Sequence, residues 1–148
     1  MRKRILAIAM ALCLIITLLP ATALAADAET ITIGGVTLSG SADAPAYAAT
    51  DENGAVSTEG ASESSYNIKW DGSTLTLNGA TITAGSSNGA AIYRRGELTI
   101  TLTGSNTVKG PEAADSIGIR IANGNLTIGG DGSLDVSGRI DYLDIETG

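Results

Sequence analysis

The stretch GELTITLTGSNTVKG, Gly96 to Gly110, decides the fold. Thr-Ile-Thr-Leu-Thr alternates over residues 99–103. Period two marks a strand with one dry face and one wet face. The chain then breaks at Gly104 and resumes at Asn106-Thr107-Val108. Such a unit is a hairpin arm, a solenoid rung, or part of a flat threonine array.

Its counterparts elsewhere in the chain choose among the three. IKWDGSTLTL (68–77), AIYRRGELTI (91–100) and IRIANGNLTI (119–128) align without gaps, at offsets of 23 and 28 residues. Each opens with apolar residues at its first and third positions, turns through a polar segment with Gly, and closes on Leu-Thr-Leu or Leu-Thr-Ile. A third short strand follows in each: Ala80-Thr81-Ile82, Asn106-Thr107-Val108 and Leu134-Asp135-Val136. An antiparallel sandwich needs no register between units, whereas a solenoid does, so the alignment favours stacked rungs. Stacking predicts that Leu75, Leu98 and Leu126 share one buried column. It also turns Trp70 and Tyr93 inward above Ile121, as core residues rather than sugar platforms. Val108 then lies on the next side of the coil, past a corner at Gly104.

The expected fold is therefore all-β: a right-handed parallel β-helix of about three to four rungs with an N-terminal β-hairpin and loop cap. ITIGGVTL (31–38) reads as two short strands about a Gly-Gly turn, and Asn53-Gly54 marks a second hairpin. The divisions are a signal peptide at 1–25, the cap at 26–66 and the rungs at 67–148. RIDYLDIETG (139–148) opens a further rung, with Ile140, Tyr142, Leu143 and Ile145 as apolar members, so truncation at the C-terminus is expected. GPEAADS (110–116) reads as an insertion at a corner.

MRKR is a basic n-region, ILAIAMALCLIITLL an apolar h-region, and Ala23-Leu24-Ala25 a cleavage site. The apolar run falls short of the roughly 20 residues a membrane span needs. Secretion, with residence outside the cell or at its surface, is the expectation. Three of the 9 basic residues lie in this segment, so cleavage takes the formal net charge from −7 to −10. Cleavage also removes Cys13 and both methionines, so disulfides are excluded. The acidity argues against nucleic acid and against anionic membrane as partners.

His is absent, which removes His-based acid–base and triad chemistry. The expectation is a protein that is not an enzyme, with a polysaccharide lyase fragment as the weaker alternative. GGDGSLD (129–135) resembles the calcium nonapeptide but carries Leu134 where an acid belongs. Asp131 and Asp135 are kept as candidate calcium ligands, with no cofactor required.

Cations carry the sharper signal. In the gapless alignment Lys69 and Arg120 share one outward column, Arg94 stands in the next and Arg95 in the adjoining turn. Lys69 and Arg120 would then lie two rungs, about 10 Å, apart. A row of cations on a rigid sheet suits a linear polyanion, and arginine offers carboxylates a bidentate fork. Lys69, Arg94, Arg95 and Arg120 are the candidate carbohydrate-binding residues. Thr76, Thr99 and Thr127 form a further column, but its neighbours Asn78, Thr101 and Gly129 do not match, which argues against an ice-binding array.

The signal peptide, the I-x-I-G-G-V-x-L element (31–38), YNIKWDGSTLTLNGATI (66–82) and the G-x-L-T-I rungs together resemble secreted right-handed β-helix proteins of Gram-positive bacteria. The likeness spans about residues 30–138. It implies a carbohydrate-binding domain family that takes acidic plant polysaccharide of the polygalacturonate type, with calcium in the fold. The resulting expectation is a secreted, non-catalytic module for polysaccharide, with polyuronate the leading class. The alternative is a structural or adhesive stalk within a larger cell-surface protein, joined to further rungs or domains of a longer chain.

Overall fold

The computed structural model describes residues 27–85, 89–112 and 116–143. The expected signal peptide with Cys13, the side chain of Leu143, and Asp144, Ile145 and Glu146 fall outside the described residues, as does the middle of the 110–116 loop. Among the described residues fourteen strands follow one another: β1 (Glu29–Ile33), β2 (Val36–Gly40), β3 (Ala46–Thr50), β4 (Val56–Ser57), β5 (Ile68–Trp70), β6 (Thr74–Asn78) and β7 (Thr81–Thr83), then β8 (Ala90–Arg95), β9 (Leu98–Thr103), β10 (Ser105–Lys109), β11 (Ile117–Ala122), β12 (Leu126–Gly130), β13 (Ser133–Ser137) and β14 (Arg139–Leu143). The protein is all-β, and no helix among the described residues is long and apolar enough to cross a membrane.

The strands form three sheets, in the orders β14-β11-β8-β1-β2, β13-β10-β7 and β12-β9-β6-β5-β3-β4. None closes into a barrel. The opening stretch divides between two of them: β9 pairs in parallel with β6 and β12, and β10 in parallel with β7 and β13. It is therefore not a hairpin arm. β8, β11 and β14 form the third parallel ladder.

The sheets are nonetheless mixed, which corrects the expectation of uniformly parallel rungs. β1 and β2 form an antiparallel hairpin that adds to β8. β5 adds antiparallel to β6, β3 antiparallel to β5, and β4 antiparallel to β3. The segment IKW does not stack on AIY; it folds back on TLTL as a hairpin. The turn explains this. The Asp71 carboxylate accepts N–H bonds from Ser73 (3.0 Å) and Thr74 (2.7 Å), and Gly72 takes φ 96°. That closes a tight reversal. The corresponding turn at Gly96 carries the chain round a corner into another sheet. Gly124 lies directly over it: a Cβ there would stand 2.2 Å from the Gly96 carbonyl carbon. The two corners stack this closely because Gly124 has no side chain.

The reversal also shifts the register. Leu126 faces Leu98 as expected, but Leu75 faces Ile100, two residues along. The three leucines share a face rather than a column. Leu75 and Leu98 are buried and Leu126 is half-buried.

The core lies between the three sheets. Trp70, Leu75, Ile92, Ile100, Val108 and Ile119 are all fully buried. Each such aliphatic side chain contributes about 1.5–3 kcal/mol relative to exposure. One buried polar residue serves a corner. Asn106 Nδ2 donates to the carbonyls of Thr103 (3.1 Å), Gly104 (3.3 Å) and Ser133 (3.2 Å), and its Oδ1 accepts the Ala80 N–H (2.9 Å). It ties three successive strands of one ladder together where strand hydrogen bonding lapses.

Candidate functional site

The outer face of the five-stranded sheet holds two of the four candidate cations. On β8, Ile92 and Arg94 point inward and are buried, so Tyr93 and Arg95 point outward. On β11, Arg120 points outward between buried Ile119 and Ile121. The strand register sets Thr32, Tyr93, Arg120 and Asp141 side by side across β1, β8, β11 and β14. Neighbours in such a row stand about 4.8 Å apart. Thr37 continues it onto β2, with its hydroxyl 3.3 Å from that of Thr32.

This row carries threonine hydroxyls, a half-exposed phenol ring, a guanidinium and a carboxylate. Arg120 Nε lies 3.5 Å from Asp141 Oδ2 and makes no hydrogen bond, although it is buried. Asp141 is shared with Arg139, at 3.9 Å. The Arg120 fork is thus held in place by charge while its donors are not consumed by the pair. Arg95 is exposed two residues along β8 from Tyr93.

The remaining candidates lie elsewhere. Tyr93 was expected inside and is outside, because the β8–β11 register is one residue off the gapless alignment: Arg120 faces Tyr93, not Ile92. The same offset turns Arg94 inward, and it is only 8% exposed. Its Nη1 donates to the Thr30 carbonyl at 2.6 Å and its Nη2 to Glu29 Oε2 at 3.0 Å. Its guanidinium carbon sits 5.1 Å over the Trp70 ring, whose Nε1 donates to the Glu29 carbonyl at 2.7 Å. Arg94 therefore clamps β1 onto β8 and β5, and is no surface ligand. Lys69 is on the outer face of a different sheet, opposite Thr76. The expected Lys69–Arg120 row does not form.

Asp131 lies exposed in the turn before β13, and Asp135 is exposed on β13 opposite Thr107. Among the described residues no group of three or more acids or other ligating side chains gathers round them. Calcium takes six to eight oxygens, more than these two carboxylates supply by themselves. A shallow hollow of about 240 Å³ is lined by Asp27, Glu29 and Asp71, among others. Its acids would repel a polyanion. Burial would raise the Asp71 carboxyl, but N–H bonds from Thr74 and Ser73, the Ser73 hydroxyl and the Lys69 charge together hold it below the usual carboxylate value.

The register also revises the threonine columns. Thr74, Thr99 and Thr127 stand in one row, and Thr76, Thr101 and Gly129 in the next. The second row is threonine over two strands and ends at glycine.

The chain matches no family model, no curated protein and no solved structure.

Proposed function

We propose that this chain is a right-handed parallel β-helix, closed at its N-terminal side by the β1–β2 and β3–β5 hairpins, and that it is a secreted, non-catalytic module binding acidic polysaccharide. Three parallel ladders joined by glycine corners support the β-helix, and the signal-like N-terminus supports secretion. The row Thr32–Tyr93–Arg120 carries the functional reading. Its ring offers a sugar a flat apolar face, its hydroxyls match sugar hydroxyls, and Arg120 offers a carboxylate its bidentate fork. Arg95 extends the positive charge along the strand. The resemblance to polygalacturonate-binding β-helix proteins points the same way.

The test is affinity electrophoresis in gels carrying polygalacturonate, with and without EDTA. The wild type is retarded, and Arg120→Ala loses about tenfold in affinity, as expected for one charge-assisted pair. Retardation by EDTA-treated protein agrees with no required cofactor; its loss would bring calcium into the site. Incubation with the polymer produces no unsaturated-uronate absorbance. Absence of retardation on every acidic glycan overturns the reading.

A second reading, a stalk within a larger cell-surface protein, is favoured by one observation. Ile128, Ile140 and Tyr142 are 42%, 40% and 55% exposed although the register turns them inward. Further rungs would cover them. Recovery of the protein bound to other domains but to no glycan would favour the stalk.

A further inference from the structure

The outer face of the six-stranded sheet has different chemistry from the Arg120 face. We infer that it is a second carbohydrate site, for an uncharged, extended polysaccharide lying across the strands along Tyr47, Lys69, Thr76 and Thr101. The inference rests on the carbohydrate-binding reading but uses a separate surface.

The register builds the row directly. Tyr47 on β3 faces Lys69 on β5, Lys69 faces Thr76 on β6, and Thr76 faces Thr101 on β9. Gly129 on β12 follows, and a Cβ there would meet nothing within 4 Å. Five strands at about 4.8 Å make a track roughly 19 Å long. Inward neighbours Ile68, Trp70, Leu75, Leu77, Ile100 and Leu102 are buried, which holds the face rigid.

One end of the track is aromatic. The Tyr66 ring packs on Tyr47 with centroids 5.1 Å apart and planes tilted by 53°. Each ring is half-exposed. A braced pair of tyrosines presents an amphipathic ledge at little entropic cost, suited to the C–H face of a sugar ring. Beyond it the track is hydroxyl-bearing. Thr74, Thr99 and Thr127 flank it on one side, and Asn78 and Thr103 on the other. No side-chain hydrogen bond within the protein occupies the hydroxyls of Thr76, Thr99, Thr101, Thr103 or Thr127 among the described residues. They are left to solvent or to a ligand.

Charge selects the class of glycan. The outward positions of β6, β9 and β12 carry no ionisable side chain, in a chain of formal net charge −7. Lys69 is the cation of the row, and the Asp71 carboxylate, which its charge helps to hold ionised, lies two residues on. A neutral polymer brings no charge of its own to desolvate on docking here, and an acidic one meets a single cation over five strands.

The experiment compares binding of the whole chain to insoluble cellulose, xylan and mannan with its binding to polygalacturonate. Tyr47→Ala and Thr101→Lys are the variants; the second changes an outward side chain and leaves the strand pairing intact, so it tests the face if the first disturbs β3. The expected result is retention on at least one uncharged polymer, weakened about tenfold by either substitution and unchanged by Arg120→Ala. Polygalacturonate binding should show the opposite pattern. No retention on any uncharged polymer, or retention insensitive to both variants, overturns the second site and leaves the Arg120 face standing. Loss of uncharged-polymer binding with Arg120→Ala also overturns it, since a single site would then serve both ligands.

Discussion

The same ladder positions are buried on one strand and exposed on the next. Ile100 is fully buried on β9, and Ile128, facing it on β12, is 42% exposed. Ile119 is fully buried on β11, and Ile140, facing it on β14, is 40% exposed. Ile121 and Tyr142 repeat the pattern, from fully buried to 55% exposed. At the opposite end of the stack no such step occurs. There β1, β2, β3 and β5 lie over the core, and Ile31, Ile33, Leu38 and Ile68 are all at most 2% exposed. An inward-facing column is therefore not yet a core. It becomes one only with a layer on each side, and the antiparallel hairpins supply that layer at one end.

The largest break in this comparison should come from Trp70. Its ring fills the junction of β1, β5 and β8, supports the Arg94 guanidinium and donates to the Glu29 carbonyl. Trp70→Ala should cost about 3–5 kcal/mol by urea titration. Tyr142→Ala, also inward by register but at the uncovered end, should cost under about 1 kcal/mol. Equal costs would mean that the two ends are equally well packed, against the exposures.

The next test holds residue type and ladder position constant. Ile100→Ala should lose about 2–5 kcal/mol, the range for a buried aliphatic truncation. Ile128→Ala removes the same atoms from the facing position and should lose less than about 1 kcal/mol. A cost at Ile128 near that at Ile100 would show that a further layer covers it in solution. Asn106 probes the corner instead of the columns. Asn106→Leu orphans the Ala80 N–H and three carbonyls, and should cost about 1–3 kcal/mol. Its ladder neighbour on β13 is already leucine, Leu134, so the requirement belongs to the corner and not to the column. A neutral Asn106→Leu would remove that distinction.

How legible was this in the sequence? The period-two alternation, the Gly corners and the recurrence of Leu-Thr-Ile placed the strands of the opening stretch and split it between two sheets. The inward Leu98, Ile100, Leu102 and Val108 followed from the same period. Register was less legible. Gapless alignment treats DGST and RRGE as equivalent turns, but the Asp71 carboxylate makes the first a reversal. The alternation between strand faces then magnifies small errors: one residue of slip moves a side chain from solvent to core. That is why Arg94 was expected among the surface cations and is found clamped against Glu29 and Trp70. It is also why Tyr93 was expected inside and stands beside Arg120. Tyr66 reads from the sequence as an apolar contact of the cap, but its pairing with Tyr47 was not legible, because their stretch is rich in Ser, Ala and acids, with weak alternation. The one available signal was two tyrosines in a segment otherwise short of large side chains.

The smallest expected effect concerns the turn that sets the register. Asp71 is held below the usual carboxylate value, so its folded pKa lies under its unfolded one, about 3.9. The folded state then favours the ionised form. The stabilisation is fully present above about pH 4 and is lost as the pH falls through the folded value. Asp71→Asn keeps an oxygen for the Ser73 and Thr74 N–H groups but removes the charge. Wild type and Asp71→Asn should therefore differ in Tm at pH 7, with the wild type higher, and the gap should close below about pH 4. Because Asp71 is partly solvated, the gap should be a few degrees at most. A gap independent of pH would show that the turn needs only an oxygen there, and that the Asp71 charge has no part in making the chain reverse instead of turning a corner.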